Sequence, residues 1–324
     1  MRRRSFLVAA LYLSMAPPAG LTTVQAAGYP DKPVTIISDA GPGASVDVAT
    51  RVIADGLSKV WGQTVAVVNH PGANGSLAAH AASDAVADGY TLYTPASSTF
   101  IAAAAIAPNL PVRIPRDFLP IGFLTDQPLF VAVNPTTGIT SLQQVIDRAK
   151  KDPGAISVAV SGIGRVTHLT SVLIQRRAGV TLLPVPYTGG PSAALADVFS
   201  GRVAMIIEGY SGIMGAAQAG QIRLIATGAA KRLAEFPDLP TIGETIPDLI
   251  ASGWIMMAAP LGTPPDIVAK VSAGLTKVVS DPEVERKLAA TGNYTNVMTP
   301  AQVQAFVAKQ QEIWLPVVQE ISAK

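Results

Sequence analysis

Short apolar runs alternate with amphipathic stretches along almost the whole chain, and this alternation limits the possible folds more than any other feature. Runs such as Pro33–Ser38 and Ile156–Val160 have the length and composition of buried strands. Between such runs, segments such as Ser45–Trp61 and Ser141–Lys151 have apolar residues at helical spacing. Alternating strands and helices favour an α/β fold with parallel sheets that are covered by helices on both faces.

The same patterns predict the remaining elements and the buried face of the first helix. We expect that helix to bury Val48, Val52, Ile53, Leu57 and Val60. Further strands are predicted at Thr64–Val68, Tyr90–Thr94, Leu129–Val133, Thr181–Val185, Val203–Ile207, Ile222–Ala226 and Trp254–Ala258. Further helices are predicted at Thr167–Ala178, Pro191–Phe199 and Ser211–Ala219, and from near Pro264, Pro282 and Pro300.

The first 26 residues are predicted to be an export signal that does not belong to the fold. Arg2–Arg4 are basic, Phe6–Met15 is an apolar run too short to span a bilayer, and Val24–Ala26 fits a small-residue cleavage site. We therefore expect a mature protein that begins near Ala27 and lies in the periplasm. Arg3–Leu7 also resembles a twin-arginine signal, so the general secretory route and the twin-arginine route both stay open.

The charge and the residue types exclude several classes of partner. The chain has 24 Lys and Arg and 22 Asp and Glu, and removal of three signal arginines leaves 21 basic residues against 22 acidic ones. Such a chain offers no electrostatic basis for binding nucleic acid. It has no cysteine, and His70, His80 and His168 lack the spacing of metal ligands. We expect neither a metal site nor a cofactor.

Three glycine-containing loops join a predicted strand to a predicted helix: Asp39–Ser45, Ser161–Thr167 and Pro186–Pro191. Parallel sheets bind ligands in loops of this kind, at the carboxyl ends of the strands. A helix N-terminus offers unpaired N–H groups and the positive end of the helix dipole, and a bare loop lets an anion reach them. The loops therefore predict an anion site, although tight turns without a ligand are the alternative.

The spacing of the glycines narrows the class of anion. Neither Gly41-x-Gly43 nor Gly162-x-Gly164 is followed by the third glycine of a dinucleotide-binding loop. None of the three loops has the Gly-Lys-Ser/Thr sequence that binds nucleoside triphosphates. A small anion held by neutral donors, such as a carboxylate, fits these loops best.

The other polar candidates favour binding over catalysis. Ser161 and His168 could act as nucleophile and base, but a histidine in the first turn of a helix more often bonds within the fold. Asp47 falls in the first turn of its helix, where we expect it to organise the loop. Glu208 should lie at the carboxyl end of a strand, where it either accepts a hydrogen bond from a ligand or pairs with a base near the hinge.

A set of motifs spread over nearly all of the mature chain resembles the substrate-binding receptors of tripartite tricarboxylate transporters, also called Bug-type proteins. Each motif is weak alone, but their order and spacing together are highly specific. They are Tyr29–Val34, the glycine loop that ends in Asp47, Asn69–Gly75, Ala87–Leu92, Ala149–Gly154, Ser161–Leu169, Pro184–Gly189, Pro237–Glu244, Gly253–Trp254 and Ala259–Pro264.

The resemblance implies a type II-like periplasmic-binding-protein fold with two α/β domains, two hinge strands and a ligand cleft between the domains. It implies a discontinuous first domain of residues 29–128 and 255–324 and a second domain of residues 129–254. Leu129–Val133 and Trp254–Ala258 would be the hinge strands. The expected ligand-binding residues are Ala40, Gly41, Gly43, Ala44, Ser45, Asp47, Ser97, Ser98, Ser161, Gly162, Gly164, Arg165, Thr167, His168, Tyr187, Gly189 and Glu208.

The function implied by the resemblance is that of a monomeric extracytoplasmic receptor, not an enzyme. It would bind a small organic carboxylate and deliver it to the permease subunits of a membrane transporter. The alternative is a binding protein that presents a carboxylate to a membrane sensor, and an exported hydrolase is a more distant possibility. The sequence does not separate the first two.

The chain departs from the family pattern at three positions. Pro42 separates Gly41 from Gly43, where relatives usually have adjacent glycines, and Ala204 stands where relatives often have aspartate. Arg165 stands where relatives are usually small or hydroxylic. Its side chain is expected either to be solvated at the rim of the cleft or to reach into the cleft and pair with a second anionic group of the ligand.

Overall fold

The computed structural model describes residues 28–106 and 115–322. The predicted export signal and its cleavage site lie outside the described residues, and both stay predictions. The strands are β1 (Val34–Ser38), β2 (Val65–Asn69), β3 (Thr91–Thr94), β4 (Phe118–Val133), β5 (Ser157–Val160), β6 (Leu183–Pro186), β7 (Met205–Gly209), β8 (Arg223–Thr227), β9 (Ser252–Pro260) and β10 (Tyr294–Thr295). The helices are α1 (Ser45–Trp61), α2 (Ser76–Ser83), α3 (Ser97–Ile106), α4 (Leu142–Lys151), α5 (Val166–Ala178), α6 (Pro191–Phe199), α7 (Tyr210–Gln218), α8 (Ile242–Thr245), α9 (Pro265–Val279), α10 (Pro282–Ala289) and α11 (Pro300–Ser322). None of these helices is both long enough and apolar enough to cross a membrane.

The strands form two sheets, one in each domain. The first sheet has the order β2–β1–β3–β9–β4–β10, and the second has the order β8–β4–β7–β5–β6. β1 runs parallel to β2 and β3, and β5 runs parallel to β6 and β7. The expected parallel pairing holds for these strands only, because β9 is antiparallel to β3 and β4, and β4 is antiparallel to β7, β8 and β10.

The chain passes between the sheets at two adjacent points. Phe118–Pro128 of β4 pairs with β9, and Leu129–Val133 of the same strand pairs with β7 and β8. At the second crossing the Leu129 N–H donates to the Ala251 carbonyl at 3.0 Å, just before β9 begins. The predicted hinge segment Leu129–Val133 therefore follows the first crossing directly, and Trp254–Ala258 begins shortly after the second. The proposed domain boundaries at residues 128–129 and 254–255 lie beside these crossings and stay predictions.

Helices cover both faces of each sheet, as the alternation predicted. In the first domain, α1 and α9 pack on one face, and α2, α3 and α11 pack on the other. In the second domain, α4, α5 and α8 cover one face, and α6 and α7 cover the other. The two sheets therefore have four apolar cores, and the strand ends that these cores hold in place face the space between the domains.

The expected buried face of α1 is rotated relative to the observed one. Ala49, Ile53 and Leu57 are fully covered, whereas Val48 is only half-buried and Val60 is 41% exposed. Small residues allow the close approach: a Cβ on Gly56 would lie 2.5 Å from Cγ1 of Val278 in α9. The buried face therefore keeps Ile53 and Leu57 but includes Ala49 and Ala54 in place of Val48 and Val60. In α4, by contrast, the apolar residues at helical spacing are all buried: Leu142, Val145, Ile146 and Ala149.

Candidate functional site

Residues at the carboxyl ends of β1, β3, β5, β6 and β7 line one cleft between the domains. The cleft holds about 770 Å³ of space between protein atoms, including the part that opens to solvent. It contains most of the predicted site residues. Those that line it are Ala40, Gly41, Ala44, Ser45, Ser97, Ser98, Ser161, Arg165, Thr167, Tyr187 and Glu208.

The loop before α1 is fixed by hydrogen bonds to the side chain of Asp47, which does not itself line the cleft. Its carboxylate accepts hydrogen bonds from the Gly43 N–H at 2.9 Å and from Asn69 Nδ2 at 2.8 Å, and it pairs with Arg51 at 3.0 Å. Burial alone would raise the pKa of Asp47, but the hydrogen bonds from Arg51, Asn69 and Gly43 hold that pKa below its ordinary value. Asp47 organises the loop, as its position predicted.

The loop before α5 repeats this arrangement with a different side chain. The Gly164 N–H donates to Nδ1 of His168 at 3.1 Å, four residues ahead, as Gly43 does to Asp47. Gly43 and Gly164 have φ values of 77° and 78°, a left-handed conformation that favours glycine. His168 therefore supports the loop, and burial lowers its pKa. It is not paired with Ser161, whose hydroxyl lies 2.8 Å from Oγ1 of Thr167.

Both of these loops present a helix N-terminus to the cleft. Ala44 and Arg165 are the N-cap residues of α1 and α5, and neither makes a side-chain capping bond. The first N–H groups of a helix have no acceptor within the helix, so these donors are available to an anion in the cleft. By contrast, Ser141 caps α4, away from the cleft, with its hydroxyl.

Six predicted site residues lie beside or beneath the cleft instead of lining it. Three of the glycines among them, Gly43, Gly162 and Gly164, have positive φ values and serve the conformation of the loops. The six are Gly43, Asp47, Gly162, Gly164, His168 and Gly189.

Arg165 crosses the cleft to the other domain. Its Nη2 lies 3.5 Å from Oδ1 of Asp39, and its Nη1 donates to Oγ1 of Thr99 at 3.3 Å. The side chain of Arg165 is only 13% exposed. The expectation of a solvated side chain at the rim is therefore wrong: Arg165 reaches into the cleft, where it meets a carboxylate of the protein, and its pairing with a ligand stays a prediction.

Sequence reasoning missed Asp39, Gln127 and the loop Gly72–Gly75, which also line the cleft. Asp39 follows β1 directly, and a carboxylate after a buried strand is a signal that could have identified it. The loop has four consecutive residues with φ between 44° and 116°, a backbone that the Asn-Gly sequence only partly predicts. Gln127 lies at the crossing of β4, and only the structure reveals that position.

The surroundings of two ionisable side chains in the cleft raise their pKa values. Burial raises the pKa of Glu208 to about 7, although a hydrogen bond from the Gly209 N–H and the charge of Arg165 oppose the rise. Burial and a hydrogen bond to Asp197 raise the pKa of Tyr187 to about 12. Glu208 is therefore partly protonated at neutral pH and can donate a hydrogen bond to an anion.

The loops of the two domains touch across the cleft. A Cβ on Gly41 would lie 3.2 Å from the Gly189 carbonyl oxygen and 3.3 Å from the Gly190 nitrogen. A Cβ on Gly209 would lie 2.5 Å from the Ser45 side chain. The glycines at these two points are required for the close approach of the domains.

Comparison with known proteins identifies the family to which the chain belongs. The sequence profile of the TctC family, described as the tripartite tricarboxylate transporter family receptor, matches residues 49–323. The chain belongs to this family. It is 33% identical to protein BugT of Bordetella pertussis over 321 residues, which cover 98% of each chain. It is 31% identical to a UPF0065 protein of Bordetella bronchiseptica, over 99% of this chain and 94% of that one.

Solved structures of TctC-type proteins have the same fold. Rpa4515 of R. palustris, solved with adipate, is 27% identical, covers 91% of this chain and 98% of its own, and superposes with a TM-score of 0.87. MatC from Rhodopseudomonas palustris, solved with malate, is also 27% identical, covers 90% and 100%, and has a TM-score of 0.82. The TctC family consists of solute-binding receptors and not of enzymes, so the chain is a Bug-type solute-binding receptor with the two-domain fold of periplasmic binding proteins.

Proposed function

We propose that this receptor binds a small organic carboxylate in the cleft, outside the cytoplasm, and delivers it to the permease of a tripartite tricarboxylate-type transporter. The observation that carries the proposal is that two helix N-termini without side-chain caps, those of α1 and α5, face one cleft from opposite domains. One carboxylate can accept hydrogen bonds from the first N–H groups of both helices. The related proteins solved with adipate and malate support the same ligand class.

The hydroxyl side chains near the helix ends suit the same ligand. Ser97, Ser98 and Thr167 are buried and line the cleft, and Oγ of Ser98 has no hydrogen-bond partner within the described residues. A buried hydroxyl without a partner is costly, and a ligand oxygen in the cleft would satisfy it.

A thermal-shift screen of organic acids tests the proposed ligand class. A ligand at a hundredfold its dissociation constant adds about 2.7 kcal/mol to stability, so binding should raise the melting temperature clearly. We expect stabilisation by carboxylates and none by neutral sugars or by inorganic cations. A panel of mono-, di- and tricarboxylates that gives no shift would contradict the proposal.

Two further measurements test delivery and export. Deletion of the candidate permease genes should abolish uptake of the carboxylate identified in the screen, whereas unchanged uptake would favour presentation to a membrane sensor. Intact-mass measurement on protein recovered from the periplasm should give a chain that begins near Ala27. Retention of Met1 would contradict the proposed signal.

A further inference from the structure

The lining of the cleft carries charged side chains at three positions, Asp39, Arg165 and Glu208, within the described residues. Arg165 is the base of the set, and the other two are carboxyl groups. Glu208 adds no positive charge in either protonation state. The lining is therefore neutral or negative as a whole, and any attraction for an anion has to come from Arg165 or from the backbone N–H groups.

The carboxylate of Asp39 is fixed in place by its own domain. It accepts a hydrogen bond from the Ala96 N–H at 3.0 Å and another from the hydroxyl of Thr99, and its side chain is fully buried. Gly75 covers it closely, since a Cβ there would lie 2.7 Å from Oδ2 of Asp39. The loop Gly72–Gly75 thus leaves space for this carboxylate and shields it from solvent.

Arg165 is held by the two residues of that buried cluster. Asp39 and Thr99 both belong to the first domain, and Arg165 extends to them from the N-cap of α5 in the second. The guanidinium is thus already close to a carboxylate of the protein. A charged pair that is removed from water has little attraction left for a third charge.

We infer that Asp39 neutralises Arg165 and makes this cleft selective for monocarboxylates. The inference rests on the proposed function, because it assumes that one carboxylate binds at the two helix N-termini. A second carboxylate on the ligand would lose its hydration beside Asp39 and Glu208 and would find no free cation in exchange among the described residues that line the cleft. The remainder of the ligand has to be uncharged.

Calorimetric titration with matched acid pairs tests this selectivity. The pairs are butanoate with succinate, pentanoate with glutarate and hexanoate with adipate. In the unaltered protein the monoacid of the best-binding pair should bind at least tenfold more tightly than its diacid. Such a ratio corresponds to about 1.4 kcal/mol, which a single hydrogen bond to a charged group can supply.

Substitution of Asp39 supplies the second arm of the test. Asp39→Asn keeps the shape of the side chain but frees Arg165 for a ligand, so the diacid should gain about tenfold or more relative to the monoacid. Glu244→Gln is the matched control, because it neutralises a carboxylate in an exposed pair with Arg232 outside the cleft. It should leave the ratio unchanged, and melting curves of each variant check that it is folded.

Each outcome decides the inference. A diacid preference in the unaltered protein overturns it and makes Arg165 a ligand contact. A monoacid preference that persists in folded Asp39→Asn also overturns it, because the selectivity then has another source. If no acid of any kind binds, the proposed function itself fails, and this result is distinct from the other two.

Discussion

Glu208 is the residue in the cleft whose protonation changes near neutral pH. Its pKa is raised to about 7 by burial, and its carboxyl group lies among the residues that line the cleft. Carboxylate ligands titrate near pH 4 to 5, as exposed carboxyl groups do, and are ionised well below this value. Between about pH 6 and pH 8, therefore, the protonation of Glu208 changes and that of the ligand does not.

The affinity for a carboxylate should therefore fall as pH rises through about 7, because Glu208 changes from a donor to a like charge. Calorimetry between about pH 6 and pH 8 should show a loss of about tenfold, the value of one hydrogen bond to a charged group. Glu208→Gln should flatten this profile. Asp126→Asn is the control: burial raises the pKa of Asp126 to about 6, but Asp126 does not line the cleft, so its removal should leave the profile unchanged.

Asp47 predicts a pH dependence of stability with the opposite sign. Its pKa is held below the ordinary value, so its contribution to folding is present above that ordinary value and is lost as pH falls through the lowered one. Asp47→Asn should reduce the free energy of unfolding by about 1–3 kcal/mol at neutral pH. Chemical denaturation should show the difference shrinking as pH falls below about 4, and a constant difference would mean that the charge is not responsible.

Individual site residues were predictable where a local pattern determines them. Ser161 follows β5 directly and Thr167 lies in the first turn of α5, so both line the cleft at the end of the loop that the glycine spacing revealed. The pairing of Arg165 with Asp39 was not predictable, since it joins two loops that only the folded domains bring together. The sequence therefore indicated which loops matter but not how their charges are shared.

Among the elements, α1 and α9 pack closely enough to make a glycine essential. Alanine is favoured over glycine in a helix by about 1 kcal/mol, but a Cβ on Gly56 would lie 2.5 Å from the stiff, buried side chain of Val278. Overpacking costs about 1–3 kcal/mol, so after the gain in helix propensity we expect Gly56→Ala to lower the free energy of unfolding by up to about 2 kcal/mol.

Gly215 in α7 is the matched control for this prediction. No atom lies within 4 Å of a Cβ placed there, and the residue is exposed. Gly215→Ala should therefore raise the free energy of unfolding by up to about 1 kcal/mol through helix propensity alone. Denaturant unfolding measures both variants, and equal signs for the two would contradict the packing argument.

Element prediction succeeded for most helices, but it missed α3 and α8 and the first half of β4. Helical spacing and a proline at the first position predicted the bounds of α6 and the start of α10 correctly. The segment Phe118–Gln127, by contrast, contains Pro120 and Gly122 and has no period-two pattern that would indicate a strand. The strand exists because β9 pairs along it, with register shifts near these residues. Pairing between segments so far apart in sequence leaves no local signal.

For the whole molecule, contact between Gly41 and the Gly189–Gly190 backbone limits how far the domains can close. Gly41→Ala places a Cβ 3.2 Å from the Gly189 carbonyl oxygen without a positive φ, so it should hinder closure but not folding. X-ray scattering should show less compaction on ligand binding than in the unaltered protein, and the affinity should fall about tenfold.

Gly189→Ala tests whether the effect comes from that contact. The two glycines face each other, but a Cβ on Gly189 meets no atom within 4 Å. We expect normal compaction and affinity for Gly189→Ala and an unchanged melting temperature for both free variants. Equal loss of affinity in the two would mean that loop flexibility, not closure, is altered.

The position of β9 also determines the order in which the protein can be completed during synthesis. β9 lies between β3 and β4 in the first sheet, although it follows both by more than a hundred residues. Until residues 252–260 emerge, that sheet has a gap at its centre, and the apolar β3 and the first half of β4 have exposed edges. The strands of the second sheet are continuous in the chain from Leu129 to Thr227 and can pair earlier. The nascent chain therefore contains a domain that begins first and finishes last, and this long-range closure favours slow folding.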